Sequence, residues 1–89
     1  MLRYETSTKF DREYDGLCKS NSCLASKVDE LVAATLEQPR GVIGRPERLK
    51  HKAKEVWSRH IDRKNRLVYS MLGDNTVRFE QCLGHYNDH

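Results

Sequence analysis

Long apolar runs are absent from this sequence of 89 residues. No stretch approaches the roughly 18 consecutive apolar residues that cross a bilayer, and residues 1–5 lack the apolar core that signal peptides carry. The sequence contains no internal repeat and no low-complexity segment. These absences argue against a membrane protein and a repeat architecture. We therefore expect one soluble domain, residues 1–89, located in the cytoplasm.

Cysteine is scarce, and the count is odd: Cys18, Cys23 and Cys82. An odd count argues against a secreted disulfide framework. Cys18 and Cys23 are spaced C-x4-C, and Cys82 and His85 are spaced C-x2-H, which comes near the spacing of zinc ligands. The fit is approximate, and no second tight pair supports it. We therefore favour free thiols and expect neither a metal nor a cofactor.

The charged residues are unevenly distributed. Residues 39–68 hold ten Lys or Arg against three Asp or Glu, a net charge of +7, whereas the segments on either side are each −2. A solvated charged loop is the simplest explanation of this charge. Arginine dominates the segment, however, and it also contains histidine and tryptophan. Because a one-sided cationic segment is what a polyanion-binding face needs, we favour nucleic acid as the partner.

The N-terminal half predicts one strand followed by two helices. Polar and apolar residues alternate over Leu2–Glu5, as in a half-buried strand. Thr6-Ser7-Thr8 is an N-cap signal for the first helix, Thr8 followed by Asp11 resembles a capping box, and a break is expected over residues 19–22. Two apolar stripes at helical spacing follow the predicted strand: Phe10, Tyr14 and Leu17, then Leu24, Val28, Leu31, Val32 and Leu36. Gln38–Gly41 ends the second helix, and core packing is the favoured role of both stripes.

The C-terminal half predicts an irregular stretch followed by three strands. Residues 42–55 are the least regular, with a turn at Gly44 and Pro46. The predicted strands span Val56–Ile61, Arg66–Met71 and Thr76–Cys82, and their short turns indicate antiparallel hairpins. Alternation places Leu67, Tyr69 and Met71 on one face and Arg66, Val68 and Ser70 on the other. The whole order is an α+β layout, β-α-α-β-β-β, with two helices packed on a mostly antiparallel sheet.

Three residues in the C-terminal half suggest chemistry when they are taken together. Glu47 is a lone acid among cationic neighbours, which favour its carboxylate form. Arg66 begins a strand, where its guanidinium suits a phosphate, and His85 titrates near neutral pH. Singly, a charge-balancing Glu, a salt-bridged Arg and an incidental terminal His are the more common roles. Together they supply the base, the cation and the acid needed to cleave RNA through its own 2′-hydroxyl without a metal.

Several motifs resemble the YoeB/Txe branch of the RelE toxin superfamily. They cover the C-terminal half in family order: Gly44-Arg45-Pro46-Glu47-Arg48-Leu49-Lys50-His51, Trp57-Ser58-Arg59-His60-Ile61, Asn65-Arg66-Leu67-Val68-Tyr69, and Cys82 with His85-Tyr86. The motif over residues 44–51 and the pair of motifs within residues 57–69 are specific when they occur together, whereas a terminal His-Tyr pair alone is weak. Three departures stand out: Leu83-Gly84 where relatives often carry Arg, His60 in place of another Arg, and residues 87–89 beyond the tyrosine.

The resemblance implies a compact RelE-like, microbial-ribonuclease-like fold and the toxin of a type II toxin–antitoxin system. Such toxins cleave mRNA in the A site of the 70S ribosome and inhibit translation. The motif match implies four catalytic residues, namely Glu47 as general base, Arg66 at the phosphorane, His85 as general acid and Tyr86 in placement. It implies four substrate-binding residues: Arg45, Lys50, His51 and Arg59.

The implied partners are a cognate antitoxin, the ribosome with its mRNA, and a second copy of the chain in a homodimer. Two other interpretations stay open. One is an inactive RNA-binding or antitoxin-binding module on the same fold, and the other is a toxin that acts on free RNA.

Overall fold

A computed structural model describes residues 2–41, 47–48 and 55–84. Over these residues the elements are β1 (Arg3–Thr6), α1 (Thr8–Ser20), α2 (Ser22–Glu37), β2 (Glu47–Arg48), β3 (Val56–His60), β4 (Arg66–Leu72) and β5 (Thr76–Gln81). The α+β class and its element order are confirmed. The sequence did not predict β2, which lies within the stretch expected to be irregular. The turn expected at Gly44 and Pro46 lies outside the described residues.

A polar side chain caps the N-terminus of each helix. Ser7 is the N-cap of α1: its backbone is extended, with φ −82° and ψ 160°, and its Oγ accepts from the Phe10 amide at 3.0 Å. The capping box predicted at Thr8 is therefore wrong by one residue, because Thr8 is already helical and an N-cap residue is not. Asn21 ends α1 and also caps α2, where its Oδ1 accepts from the Leu24 amide. Neither described helix is long and apolar enough to cross a membrane.

The described strands form one sheet in the order β1-β5-β4-β3-β2. The predicted hairpins β3–β4 and β4–β5 are antiparallel, as is β2–β3, whereas β1 runs parallel to β5. The register shifts between Val68, opposite Gln81, and Tyr69, opposite Phe79. Glu80 is therefore an extra residue in β5, as in a β-bulge.

The hydrophobic core lies between the two helices and one face of this sheet. Leu67, Tyr69 and Met71 share one face as predicted, and the structure shows that this face is the buried one. The helices contribute Phe10 and Leu17 from α1 and Ala25, Val28 and Leu31 from α2. Full burial of a Leu or Phe side chain contributes about 1.5–3 kcal/mol. The helical stripes are therefore part of the core, and the other face of the sheet is left to carry the site.

Candidate active site

The sheet face opposite the helices gathers the polar residues at which the sequence pointed. Glu47 in β2 lies opposite Ser58 in β3, and Ser58 lies opposite Val68 in β4. His60 lies opposite Arg66. Residues directly opposite each other in a sheet point to the same face, and residues two apart in a strand do so as well. Glu47 and Arg66 therefore share one face, together with Ser58 and His60.

The register also fixes how far apart Glu47 and Arg66 are. They are two strands and two residues apart, which corresponds to about 12 Å between their Cα atoms at ordinary strand spacings. A substrate that binds this face of the sheet can therefore contact both residues. This geometry suits a carboxylate and a guanidinium acting on the same phosphodiester.

The guanidinium of Arg66 is held by the β3–β4 turn. Its Nη1 donates to the carbonyl oxygens of Asp62 at 2.7 Å and Asn65 at 3.0 Å. The turn is itself ordered, because the Asp62 carboxylate accepts from the backbone amides of Lys64 and Asn65. These amide bonds, with that of Lys64 first, lower the pKa of Asp62. Nε and Nη2 of Arg66 make no hydrogen bond within the described part of the chain.

The chain leaves β5 directly beside Arg66. The backbone amide of Arg66 donates to the Gly84 carbonyl at 3.0 Å, and the Gly84 amide donates to Asn65 Oδ1 at 2.8 Å. Gly84 has φ +76°, a left-handed conformation that glycine adopts without the strain a Cβ brings. His85 is the next residue along the chain. The structure therefore joins the start of β4 to the residue that precedes the predicted acid.

An ion pair ties together the two sides of the segment that contains β2. Arg40 donates to both carboxylate oxygens of Glu55, at 2.7 and 2.8 Å, and the Trp57 indole donates to the same carboxylate at 2.7 Å. These bonds, with that of Arg40 first, lower the pKa of Glu55. The ion pair therefore joins the chain before β2, at Arg40, to the chain after it, at Glu55.

Arg59 lies on the opposite face of the sheet, toward the helices. It is 1% exposed, and its guanidinium donates to the Gln38 carbonyl at 2.7 Å and to the Tyr69 hydroxyl at 3.1 Å. The Tyr69 hydroxyl donates in turn to the Pro39 carbonyl. Arg59 thus anchors the end of α2 to the sheet. This position does not suit the phosphate contact predicted for Arg59, which is left out of the site proposed below.

The buried cysteine is not placed for chemistry. Cys82 belongs to the core, and its burial, with a smaller contribution from the Glu13 charge, raises the pKa of the thiol to about 12. The thiolate is the form that binds metals and acts as a nucleophile. Cys82 therefore behaves as a small apolar side chain, whereas Cys18 and Cys23 are exposed thiols.

Five predicted site residues lie outside the described residues: Arg45, Lys50, His51, His85 and Tyr86. Their roles stay predictions. The structure adds two residues that were not among the candidates, Ser58 and His60, which share the face of Glu47 and Arg66. Alternation along β3 puts Ser58 and His60 on the face opposite to that of Arg59. Only the pairing of β3 with β4 shows that Ser58 and His60 share their face with Arg66.

Two helices packed on one face of a mostly antiparallel sheet are the α+β arrangement that the resemblance to the RelE toxin superfamily implied, and comparison with known proteins gives the family. A family model described as "YoeB-like toxin of bacterial type II toxin-antitoxin system" matches residues 6–86. Toxin YoeB of Escherichia coli K12 is 36% identical over 63 residues, which is 71% of this chain and 74% of that protein.

Solved structures agree with the family. The YoeB dimer from Staphylococcus aureus is 29% identical with a TM-score of 0.83, covering 96% of this chain and 98% of its own. The toxin in the heterotetrameric YoeB–YefM toxin–antitoxin complex of the same species is 28% identical with a TM-score of 0.80, covering 97% and 99%. The chain belongs to the YoeB-like toxins of bacterial type II toxin–antitoxin systems.

Proposed function

We propose that this toxin is a ribosome-dependent endoribonuclease that cleaves mRNA in the ribosomal A site. The observation that carries the proposal is the shared face of Glu47 and Arg66, beside which the chain continues from Gly84 to His85. The net charge of +7 over residues 39–68 supports an RNA substrate, because cationic side chains neutralise its phosphates.

In the proposed reaction the 2′-hydroxyl of one nucleotide attacks its own 3′-phosphate. Glu47 takes the 2′-hydroxyl proton as the oxygen forms its bond to phosphorus. Arg66 stabilises the negative charge of the phosphorane. The bond from phosphorus to the 5′-oxygen then breaks, and protonated His85 gives its proton to that oxygen. The products are a 2′,3′-cyclic phosphate and a 5′-hydroxyl, so no electron transfer and no added reactant is needed.

The remaining predicted residues have supporting roles in this scheme. Tyr86 places the substrate or the acid, and Arg45, Lys50 and His51 line the same surface and bind RNA phosphates. We propose that no metal or cofactor takes part, because the base, acid and cation are all side chains of this chain.

Cleavage assays with and without ribosomes, and with a modified substrate, test the proposed reaction. Purified toxin is incubated with mRNA in the presence and absence of programmed 70S ribosomes, and the cleaved nucleotide is then replaced by its 2′-deoxy form. We expect cleavage only with ribosomes, an upstream product ending in a cyclic or 3′-phosphate, and no cleavage of the deoxy substrate despite normal binding. Efficient cutting of the deoxy substrate contradicts the mechanism, and cutting without ribosomes favours a toxin that acts on free RNA.

His85→Ala tests the proposed acid, and His89→Ala is the matched control at a nearby histidine. Loss of a general acid lowers the rate by about 10²–10⁴-fold, whereas a terminal surface substitution changes stability by about 0.5 kcal/mol or less. We therefore expect His85→Ala to lose cleavage and to keep its melting curve and antitoxin binding. Normal cleavage by His85→Ala rules out this acid, and unfolding of the variant gives His85 a structural role instead.

An inactive module that binds RNA or antitoxin is the second candidate function. Leu83 and Gly84 stand where relatives often carry an arginine, so this position supplies no arginine for a phosphate contact. The module predicts binding to ribosomes or antitoxin with no cleavage of any RNA, which the same assay detects.

We also propose a cognate antitoxin as the partner that keeps this toxin inactive in the cytoplasm. The Staphylococcus aureus relative is found in a toxin–antitoxin complex with YefM. For this chain we expect an acidic, partly disordered antitoxin arm that orders over residues 45–66, with an affinity that falls as salt rises. A complex whose antitoxin leaves these residues open contradicts the proposal. Because another relative is a dimer, sedimentation of the free toxin tests whether this chain also forms a homodimer.

A further inference from the structure

The short segment that follows β5, residues 82–84, is held at every residue. The Cys82 and Leu83 amides both donate to Glu13 Oε1, at 2.8 and 3.2 Å. The Leu83 carbonyl accepts from the Gln81 side chain, and both backbone groups of Gly84 are bonded to the start of β4. The ends of a chain usually fray unless specific contacts hold them. This segment is instead held by hydrogen bonds as far as Gly84, the residue that precedes His85.

Glu13 holds residues 82 and 83 from outside the sheet, because it belongs to α1. It projects from α1, on the helix side of the sheet, and is half-buried. One carboxylate oxygen accepts two consecutive backbone amides, and bonds to an ionised acceptor are roughly twice as strong as neutral ones. Glu13 thus fixes the segment from the helix side, while Asn65 fixes it from the side of Arg66.

We propose that Glu13 is a positioning residue for the catalytic end of the chain. The inference rests on the proposed role of His85, which follows Gly84 directly. With Cys82 and Leu83 held by Glu13 and Gly84 held in its left-handed conformation, the direction in which the chain leaves the sheet is set before His85. A misplacement of about 1 Å at a catalytic group costs about 10²-fold in rate. Glu13 therefore acts on cleavage through placement of the acid, with no contact to the RNA.

Three variants of the full-length toxin separate placement from folding. Glu13→Ala removes the acceptor, Glu13→Asp keeps the charge but shortens its reach by one methylene, and Glu13→Gln keeps an acceptor oxygen at full reach. Asp15→Ala is the control for loss of an exposed acid in the same helix. Val28→Ala, in the buried face of α2, is the control for lost stability with the Glu13 side chain intact.

The measurements are single-turnover cleavage on ribosomes, below the melting temperature of every variant, and NMR of the free toxin. We expect the maximal rate to fall about 10²-fold in Glu13→Ala, to fall clearly in Glu13→Asp, and to stay within about threefold of wild type in Glu13→Gln. The concentration at half-maximal rate should hardly change. The amides of Cys82 and Leu83 should exchange faster in the Ala and Asp variants, and the backbone of His85 should become more mobile. Both controls should match wild type.

Two results overturn the inference, and they differ from failure of the proposed function. If wild type cleaves and Glu13→Asp cleaves equally well, Glu13 does not position the acid. If Val28→Ala loses as much rate as Glu13→Ala, the effect of Glu13 is stability alone. If Glu13→Ala does not fold, the comparison of Glu13→Asp with Glu13→Gln decides. A wild-type toxin that cleaves nothing overturns the proposed function, and with it the positioning role.

Discussion

Arg66→Ala separates the catalytic and structural roles of one side chain. The structural loss is the pair of bonds from Nη1 to the turn carbonyls of Asp62 and Asn65. These acceptors lie in a turn that remains solvated, so we expect unfolding to become easier by only about 1 kcal/mol. The bond between the Arg66 amide and Gly84 belongs to the backbone and survives. Loss of a group that stabilises developing charge costs about 10²–10³-fold in rate, equivalent to about 2.7–4 kcal/mol.

Arg63→Ala is the matched control, because Arg63 is an exposed arginine of the same turn and its loss changes the net charge equally. Each variant is compared by single-turnover cleavage on ribosomes and by urea unfolding. We expect Arg66→Ala to lose at least about 10²-fold in rate while Arg63→Ala stays near wild type. Arg66→Lys should recover little, since an ammonium keeps the charge but not the two-pronged contact. Equal rates for the Arg66 and Arg63 alanine variants refute the reasoning.

Three further predictions concern stability and accessibility. Leu31→Ala should destabilise the fold by about 2–5 kcal/mol, measured by urea unfolding, because Leu31 is completely buried in the core. Arg40 lowers the pKa of Glu55 in the folded state, so the stabilisation it provides should disappear as the pH falls through that lowered pKa, and Arg40→Ala should weaken the pH dependence of the melting temperature. A maleimide should label Cys18 rapidly in the native toxin but Cys82 only after unfolding, as mass spectrometry of the labelled peptides would show.

Local sequence patterns were enough to predict most of the secondary structure. The apolar stripes predicted both helices, and the alternating segments predicted β1, β3, β4 and β5 to within one residue at each described boundary. The N-cap signal Thr6-Ser7-Thr8 contains the observed cap, Ser7, but the capping box was assigned to Thr8, because Ser and Thr are both good caps and only the backbone conformation distinguishes them. Strand β2 has two residues, which is too short for any periodic pattern.

The site residues, too, were predicted only in part from the sequence. The motifs around Glu47 and Arg66 pointed to both residues and to the toxin family, because a local run of residue types is a property of the chain itself. Arg59 belongs to the same motif, yet it is buried on the helix face. A two-residue period sorts side chains into two faces but does not say which face the helices will cover.

The sequence by itself thus determined both helices, every described strand except β2, and the toxin family, since these depend on neighbours in the chain. Only the tertiary structure decided that β2 pairs with β3, that β1 runs parallel to β5, and that the two strands carrying Glu47 and Arg66 present them on one face. It alone brought Glu13 to residues 69 and 70 positions away. Contacts over such distances arise from packing the helices on the sheet, which brings together residues far apart in the chain.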